Sequence, residues 1–167
     1  RWTKDGAGYL TLESSTGAAG GRDLVLHDVQ SGQAQVLVSA SRLVPPAESE
    51  PLAIDDYAFS ADDNLVLIFT NSKRVWRTNT RGDYWLLDVS SHELRQLGGE
   101  APEASMMFAT FSPDSQKVAY VRENDLYVQN LLDLSIVQVT GDGGEHRING
   151  TFDWVYEEEL GLRQGFA

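Results

Sequence analysis

Phe111-Ser112-Pro113-Asp114 is followed by Lys117-Val118-Ala119-Tyr120-Val121-Arg122, a polar turn at Glu123-Asn124, and Asp125-Leu126-Tyr127-Val128-Gln129. Both runs are short, apolar in their middles and bounded by polar turn residues, the pattern of strands. Phe59-Ser60-Ala61-Asp62 stands earlier at an offset of 111 − 59 = 52, and an apolar strand, a polar turn and another strand follow it in the same order. Two copies of one supersecondary unit in one chain mean a repeat.

The unit fills out on both sides. Phe108-Ala109-Thr110-Phe111 precedes the turn at Ser112 to Ser115, and Ile136-Val137-Gln138-Val139-Thr140 closes the copy. The earlier copy runs through Tyr57-Ala58-Phe59-Ser60, Leu65 to Thr70, Asp83-Tyr84-Trp85-Leu86-Leu87-Asp88-Val89 and Glu93-Leu94-Arg95-Gln96-Leu97. Before it, Tyr9-Leu10-Thr11-Leu12, Leu24 to Val29 and Ala34 to Val38 read as further strands, the last two flanking the tight-turn signal Gln30-Ser31-Gly32. Ser39 to Asp56, with Pro45, Pro46 and Pro51, lacks periodicity and reads as a connection. Four short strands in about 40–50 residues is the pattern of a β-propeller blade. The expected fold is therefore all-β, a partial arc of about three four-stranded antiparallel blades, since closing a ring takes about four to eight. The expected blades are residues 1–56, 57–106 and 107–150, with a further segment at 151–167. One such sheet cannot bury both faces alone, so neighbours must stack. Tyr84, Trp85 and Phe111 are expected in the blade core.

Composition narrows the function. The 25 acids against 13 Lys and Arg give a net charge of −12, a field that repels phosphate backbones and argues against nucleic acid. The absence of cysteine removes disulfides, thiolate catalysis and cysteine zinc sites. No apolar stretch approaches a membrane span; Leu65-Val66-Leu67-Ile68-Phe69 is strand-sized. The chain opens on Arg1-Trp2 without methionine, as expected of a fragment or processed product. His27, His92 and His146 lack metal-ligand spacing, and Asp62-Asp63-Asn64 lacks the glycine and terminal glutamate of a calcium loop. Neither a metal nor a cofactor is expected. No Gly-x-Ser-x-Gly nucleophile elbow occurs.

Asn149-Gly150-Thr151-Phe152-Asp153-Trp154-Val155-Tyr156-Glu157-Glu158-Glu159-Leu160 places three consecutive acids after an aromatic run. Val155 to Arg163 reads as a short helix with Asp153 as its N-cap, packed to the sheets by Leu160 and Leu162. The acids fit two roles: a solvated first turn favoured by the helix dipole, or a site for a ligand cation such as an amine. Lys73-Arg74-Val75-Trp76-Arg77 forms a basic loop upstream.

Asp153-Trp154-Val155-Tyr156-Glu157-Glu158-Glu159 resembles the double-glutamate motif of the dipeptidyl peptidase IV family of serine exopeptidases. Lys73 to Arg77 resembles that family's Trp-Arg propeller loop, departing from it at Thr78-Asn79-Thr80, and Lys117 to Val128 resembles a propeller strand pair. The three lie in the family's order from about Tyr57 to the end.

The resemblance implies that Glu158 and Glu159 bind the free α-amine of a peptide substrate, and that Arg77 donates to the carbonyl of its second residue. Glu157 would face solvent or a structural partner. It implies a parent protein that removes Xaa-Pro or Xaa-Ala dipeptides with a Ser-Asp-His triad on an α/β-hydrolase domain following the propeller. This fragment alone, lacking the triad, would then be inactive. A homodimeric parent and a periplasmic or secreted location are implied as well, a cytoplasmic one being the alternative. The rival readings are the propeller of a prolyl tripeptidyl peptidase and a non-catalytic propeller that serves as an interaction scaffold.

Overall fold

In the computed structural model, which describes residues 1–167, each of the eleven strand signals becomes a strand. The first three are β1 (Gly8–Ser14), β2 (Arg22–Asp28) and β3 (Ala34–Val38). The next four are β4 (Asp56–Phe59), β5 (Leu65–Arg74), β6 (Asn79–Asp88) and β7 (Leu94–Gln96). The last four are β8 (Met106–Phe111), β9 (Lys117–Arg122), β10 (Asp125–Asn130) and β11 (Ile136–Gln138), and one helix, α1 (Trp154–Leu160), follows them. The fold is all-β with antiparallel strands and one short helix, the construction of a β-propeller arc. Two compact units divide the chain, residues 1–54 with 87–94 and residues 55–86 with 95–167.

In the first unit β1, β2 and β3 form a sheet in that order. This set has three strands, not four. Its sequel, expected to be irregular, contains a 3-10 turn at Ala40–Arg42, where Ser39 caps the start by accepting from Ser41 N. Ala40 and Leu43 are fully buried, so this connection belongs to the unit's core.

The second unit holds most of the remaining sheet, whose order is β11-β10-β9-β8-β6-β5-β4 with β7 also on β6. The two four-stranded sets are joined, where separate stacked blades were expected. β6 is ten residues long, so β8 pairs with its start, at Arg81↔Met107 and Gly82↔Met106, and leaves its end to β7. Gly82 also lies tight against β5. A Cβ there would lie 2.5 Å from the Phe69 ring and 2.6 Å from the Thr70 carbonyl oxygen.

The sequence repeat is a repeat of hydrogen bonds. Ser60 Oγ donates to Asp62 Oδ1 at 2.6 Å and accepts from Leu65 N at 3.0 Å. Ser112 Oγ donates to Asp114 Oδ1 at 2.6 Å and accepts from Lys117 N at 2.9 Å. The same backbone bond closes each turn, Ser60 N to Leu65 O and Ser112 N to Lys117 O, both 2.9 Å. Such bonds hold Asp62 well below the usual carboxylate range, at about 2, with the Ser60 hydroxyl the largest cause. Asp62-Asp63-Asn64 is thus a turn, as read.

A second turn recurs three times, the first two sharing Asp-Val-x-Ser (Asp28-Val29-Gln30-Ser31 and Asp88-Val89-Ser90-Ser91) and the third beginning at Asn130. The backbone N–H groups of Asp28, Asp88 and Asn130 donate to the carbonyls of Gln33, Glu93 and Ser135 at 2.9–3.0 Å. Each turn has one residue at positive φ, successively Gly32, His92 and Leu134. The leading side chain accepts from the turn's own N–H groups, from Ser31, from Ser90 and Ser91, and from Leu132 and Asp133. Asp and Asn alone among common side chains do this readily.

The core of the second unit gathers Leu67, Tyr84, Leu86, Leu97, Met106, Val118, Tyr120, Tyr127 and Leu131. Phe69 and Phe111 pack against it. Tyr120 and Tyr127 stack at 5.7 Å between centroids, and the Arg122 guanidinium caps the Tyr127 ring at 4.4 Å. Trp85, expected in the core, is only partly buried and lies outside this cluster.

Candidate functional site

β5 and β6 extend beyond the apolar alternation as a polar hairpin, closed by Val75 N donating to Thr78 O at 3.1 Å. Its stem is fastened by side chains. Asn79 Nδ2 donates to Ser72 Oγ at 2.9 Å, and Asn71 Nδ2 donates to the buried Asp83 at 2.7 Å. Arg74 Nε donates to Trp76 O at 3.0 Å, which folds Arg74 back on the tip and leaves Arg77 to project from it.

α1 begins at Trp154, one residue earlier than expected, and stops at Leu160. Asp153 is its N-cap, accepting from Val155 N at 3.0 Å and Tyr156 N at 3.2 Å. Gly161 ends it in the left-handed conformation at φ 65°, which turns the chain back sharply. The aromatic rings of Phe152 and Tyr156 stack at 5.1 Å across the first turn.

The expected packing of Leu160 and Leu162 on the sheets does not occur. They are 62% and 46% exposed, and no residue of α1 is buried. A backbone clamp at the base holds the helix instead. Phe152 N donates to Arg163 O at 3.0 Å, Gly165 N donates to Gly150 O at 2.9 Å, and Thr151 bridges Gln164. Gln164 Nε2 also reaches Thr110 Oγ1 at 3.1 Å, tying the clamp to β8.

The three acids part company on this helix, because successive residues point about 100° apart. Glu157 turns inward, its side chain 14% exposed, and pairs with Arg163 at 3.5 Å. Glu158 is 31% exposed and pairs with Arg77, 81 positions away in sequence. Glu159 is exposed. Of the expected site residues, Glu158 and Arg77 are therefore in contact and Glu159 stands beside them on the helix. Glu157, expected to face solvent or a structural partner, is paired with Arg163.

Residues that sequence reading passed over anchor the entry to this helix. The Asp125 carboxylate, buried at the start of β10, accepts from Thr140 Oγ1 at 2.7 Å, Gly143 N at 3.0 Å and Asn149 Nδ2 at 3.1 Å. Gln138 Nε2 adds a fourth bond at 3.2 Å. Asn149 also donates to Asp142 at 2.9 Å, and its backbone N–H donates to Asn124 O at 2.9 Å. The loop of residues 141–149 is thereby bound to the β9–β10 turn. The glycine-rich run Gly141-Asp142-Gly143-Gly144 marks it as a loop in the sequence, with no sign of these bonds.

These donors, the Thr140 hydroxyl foremost, hold Asp125 below the ordinary carboxylate range, against the upward push of burial. A carboxyl lowered on folding stabilises the fold fully above its unfolded value and loses that contribution as pH falls through the folded value. Between about pH 6 and about pH 3, the thermal midpoint of wild type should therefore fall further than that of Asp125→Asn. Parallel pH profiles of the two would refute this role.

Comparison with known proteins gives a consistent identification. The profile of the dipeptidyl peptidase IV (DPP IV) N-terminal region matches residues 60–167. A protein named probable dipeptidyl-aminopeptidase B from Trichophyton verrucosum is 43% identical over 101 residues, covering 60% of this chain and 11% of the relative. The protein of the same name from Aspergillus clavatus is 39% identical over 119 residues, covering 71% and 12%. The crystal structure of Porphyromonas gingivalis dipeptidyl peptidase 4 superposes with a TM-score of 0.79 at 29% identity, covering 98% of this chain and 22% of that one. The chain thus spans about a tenth of the curated relatives it matches. With well over half of its residues inside the profile, it belongs to the dipeptidyl peptidase IV N-terminal region family.

Proposed function

We propose that this chain is the substrate-recognition part of a serine exopeptidase that releases N-terminal dipeptides, Xaa-Pro or Xaa-Ala, by anchoring the free peptide amine on Glu158 and Glu159. The observation that carries this reading is the ion pair between Arg77 and Glu158, because it joins two motifs from distant parts of the sequence at one exposed point. An ammonium brings three donors, and two carboxylates can accept them in charge-assisted bonds. Binding also relieves the repulsion between the adjacent acids. Arg77, beside them, holds Glu158 in place and presents a planar set of donors to the carbonyl of the substrate's second residue. Fixing the amine fixes the distance to the bond that is cut. The triad that cuts it would stand on an α/β-hydrolase domain of the same polypeptide, so the 167-residue chain by itself recognises substrate without hydrolysing it.

The test compares a glycyl-prolyl arylamide with its N-acetylated form on the full-length protein. The free amine should be hydrolysed and the acetylated form rejected by about 10²-fold or more, since the site's acids would be left unpaired. Equal turnover of both would refute the amine anchor. Release of tripeptides in place of dipeptides would refute its spacing from the nucleophile.

A further inference from the structure

We propose that Arg163 is a positioning residue for the amine site, acting through Glu157 to set the rotation of α1 so that Glu158 and Glu159 face the substrate. The inference rests on the amine-anchor reading of Glu158 and Glu159.

A helix usually has its rotation fixed by an apolar face in the core. α1 has no buried residue, and its two leucines beyond the acids are exposed. What remains to fix it are its caps, the backbone clamp below it, the stack of Tyr156 on Phe152 at its first turn and two ion pairs. The caps and clamp restrain its ends. The pairs act on its sides, Glu157 to Arg163 and Glu158 to Arg77. Because these acids are consecutive, their directions differ by about 100°, so the two pairs together define one rotation and neither does so alone.

The Arg163 pair is the better shielded of the two. Arg163 Nε and Glu157 Oε1 are both hidden from solvent and face each other at 3.5 Å as an ion pair, and neither atom makes a hydrogen bond to any group. Removing Arg163 would leave the Glu157 carboxylate, its side chain 14% exposed, without its cation. Arg163 itself is placed firmly. Gly161 reverses the chain, Arg163 O accepts from Phe152 N, and the neighbouring Gln164 is tied to β8 through Thr110. The guanidinium therefore reads its position from the sheet and passes it to the helix through Glu157. It would touch no substrate atom.

The test uses the full-length protein and a glycyl-prolyl arylamide with a free amine. Arg163→Met should raise KM about tenfold with kcat within about twofold, because a misdirected anchor weakens capture. Arg163→Lys, which keeps the charge, should recover most of the loss. Glu157→Gln should raise KM similarly, and the double variant should be no worse than the poorer single one, as expected of residues acting through one contact. A fall in kcat at unchanged KM, or no recovery with lysine, would overturn the proposal. Should Arg163→Met fail to fold, Glu157→Gln carries the same test, and a wild-type KM there would overturn it. Glu158→Gln run alongside separates the two ideas. If it raises KM and the Arg163 and Glu157 variants do not, only the positioning role falls. If Glu158→Gln also leaves KM unchanged, the amine anchor falls and the positioning role with it.

Discussion

Glu158→Ala in the full-length protein is expected to lower kcat/KM on free-amine dipeptide substrates by about 10²-fold or more, which corresponds to several kcal/mol of lost charge pairing. Two losses combine in that figure. The substrate ammonium gives up one of its two carboxylate acceptors, and Arg77 gives up the partner that restrains it. The fold should hardly respond. Glu158 lies on a helix with no buried residue, so truncating it leaves no cavity, and its ion pair is exposed enough to add little stability. Steady-state kinetics with a parallel thermal melt would check both halves. Near-normal kcat/KM, or a melt shifted as far as the activity, would remove Glu158 from the recognition role. Arg77→Ala should follow the same pattern with a smaller loss, since it orients a neutral carbonyl and a neighbouring acid rather than carrying the anchor itself.

The largest stability effect should come from the opposite end of the burial scale. Tyr120 is fully buried between β8 and β10, stacked on Tyr127, in the middle of the nine-residue core. Tyr120→Ala removes an aromatic ring from a close-packed site and should destabilise the fold by about 3–5 kcal/mol. Tyr120→Phe should behave quite differently. The hydroxyl is buried without a hydrogen-bond partner, a group whose desolvation is not repaid, so deleting it should cost under about 1 kcal/mol or even stabilise. Urea midpoints of the two variants against wild type would decide. A Phe variant as damaged as the Ala variant would mean that the hydroxyl, and not the ring, holds the core.

The strands were legible in the sequence because each is a short apolar run bounded by turn residues. Lys117–Arg122 and Ala34–Val38 were read with both ends correct, and the Phe-Ser-x-Asp repeat announced the two turns that share one hydrogen-bond scheme. Legibility failed where polar residues do structural work at a distance. The β5–β6 hairpin runs on through Asn71-Ser72-Lys73-Arg74, where no apolar alternation marks a strand; Asn79 and Asp83 hold it from across the hairpin. The joining of β6 to β8 was equally hidden, since a two-residue ladder leaves no periodicity. Leu160 and Leu162 misled by composition: leucines inside the expected helix suggest an anchor, yet the helix stops at Leu160, Gly161 turns the chain, and both side chains stay exposed. At the site, the acids and Arg77 could be named from motif resemblance, and their nearness needed the fold. Asp125, Asn149 and Arg163 could not be named at all. Each works through partners that are neighbours only after folding.

The edge strand β11 has one more implication. All three of its residues are exposed, and Val137, Val139 and Leu132 place apolar surface along and beside it. An open row of backbone donors and acceptors flanked by greasy side chains is a template for adding another strand. In dilute low-salt buffer the surplus of acids, −12 overall, keeps copies apart; added electrolyte weakens that repulsion and leaves the adhesive margin unopposed. Colloidal behaviour of the isolated segment is thus governed by a contest between long-range repulsion and a short sticky border, with ionic strength as the control.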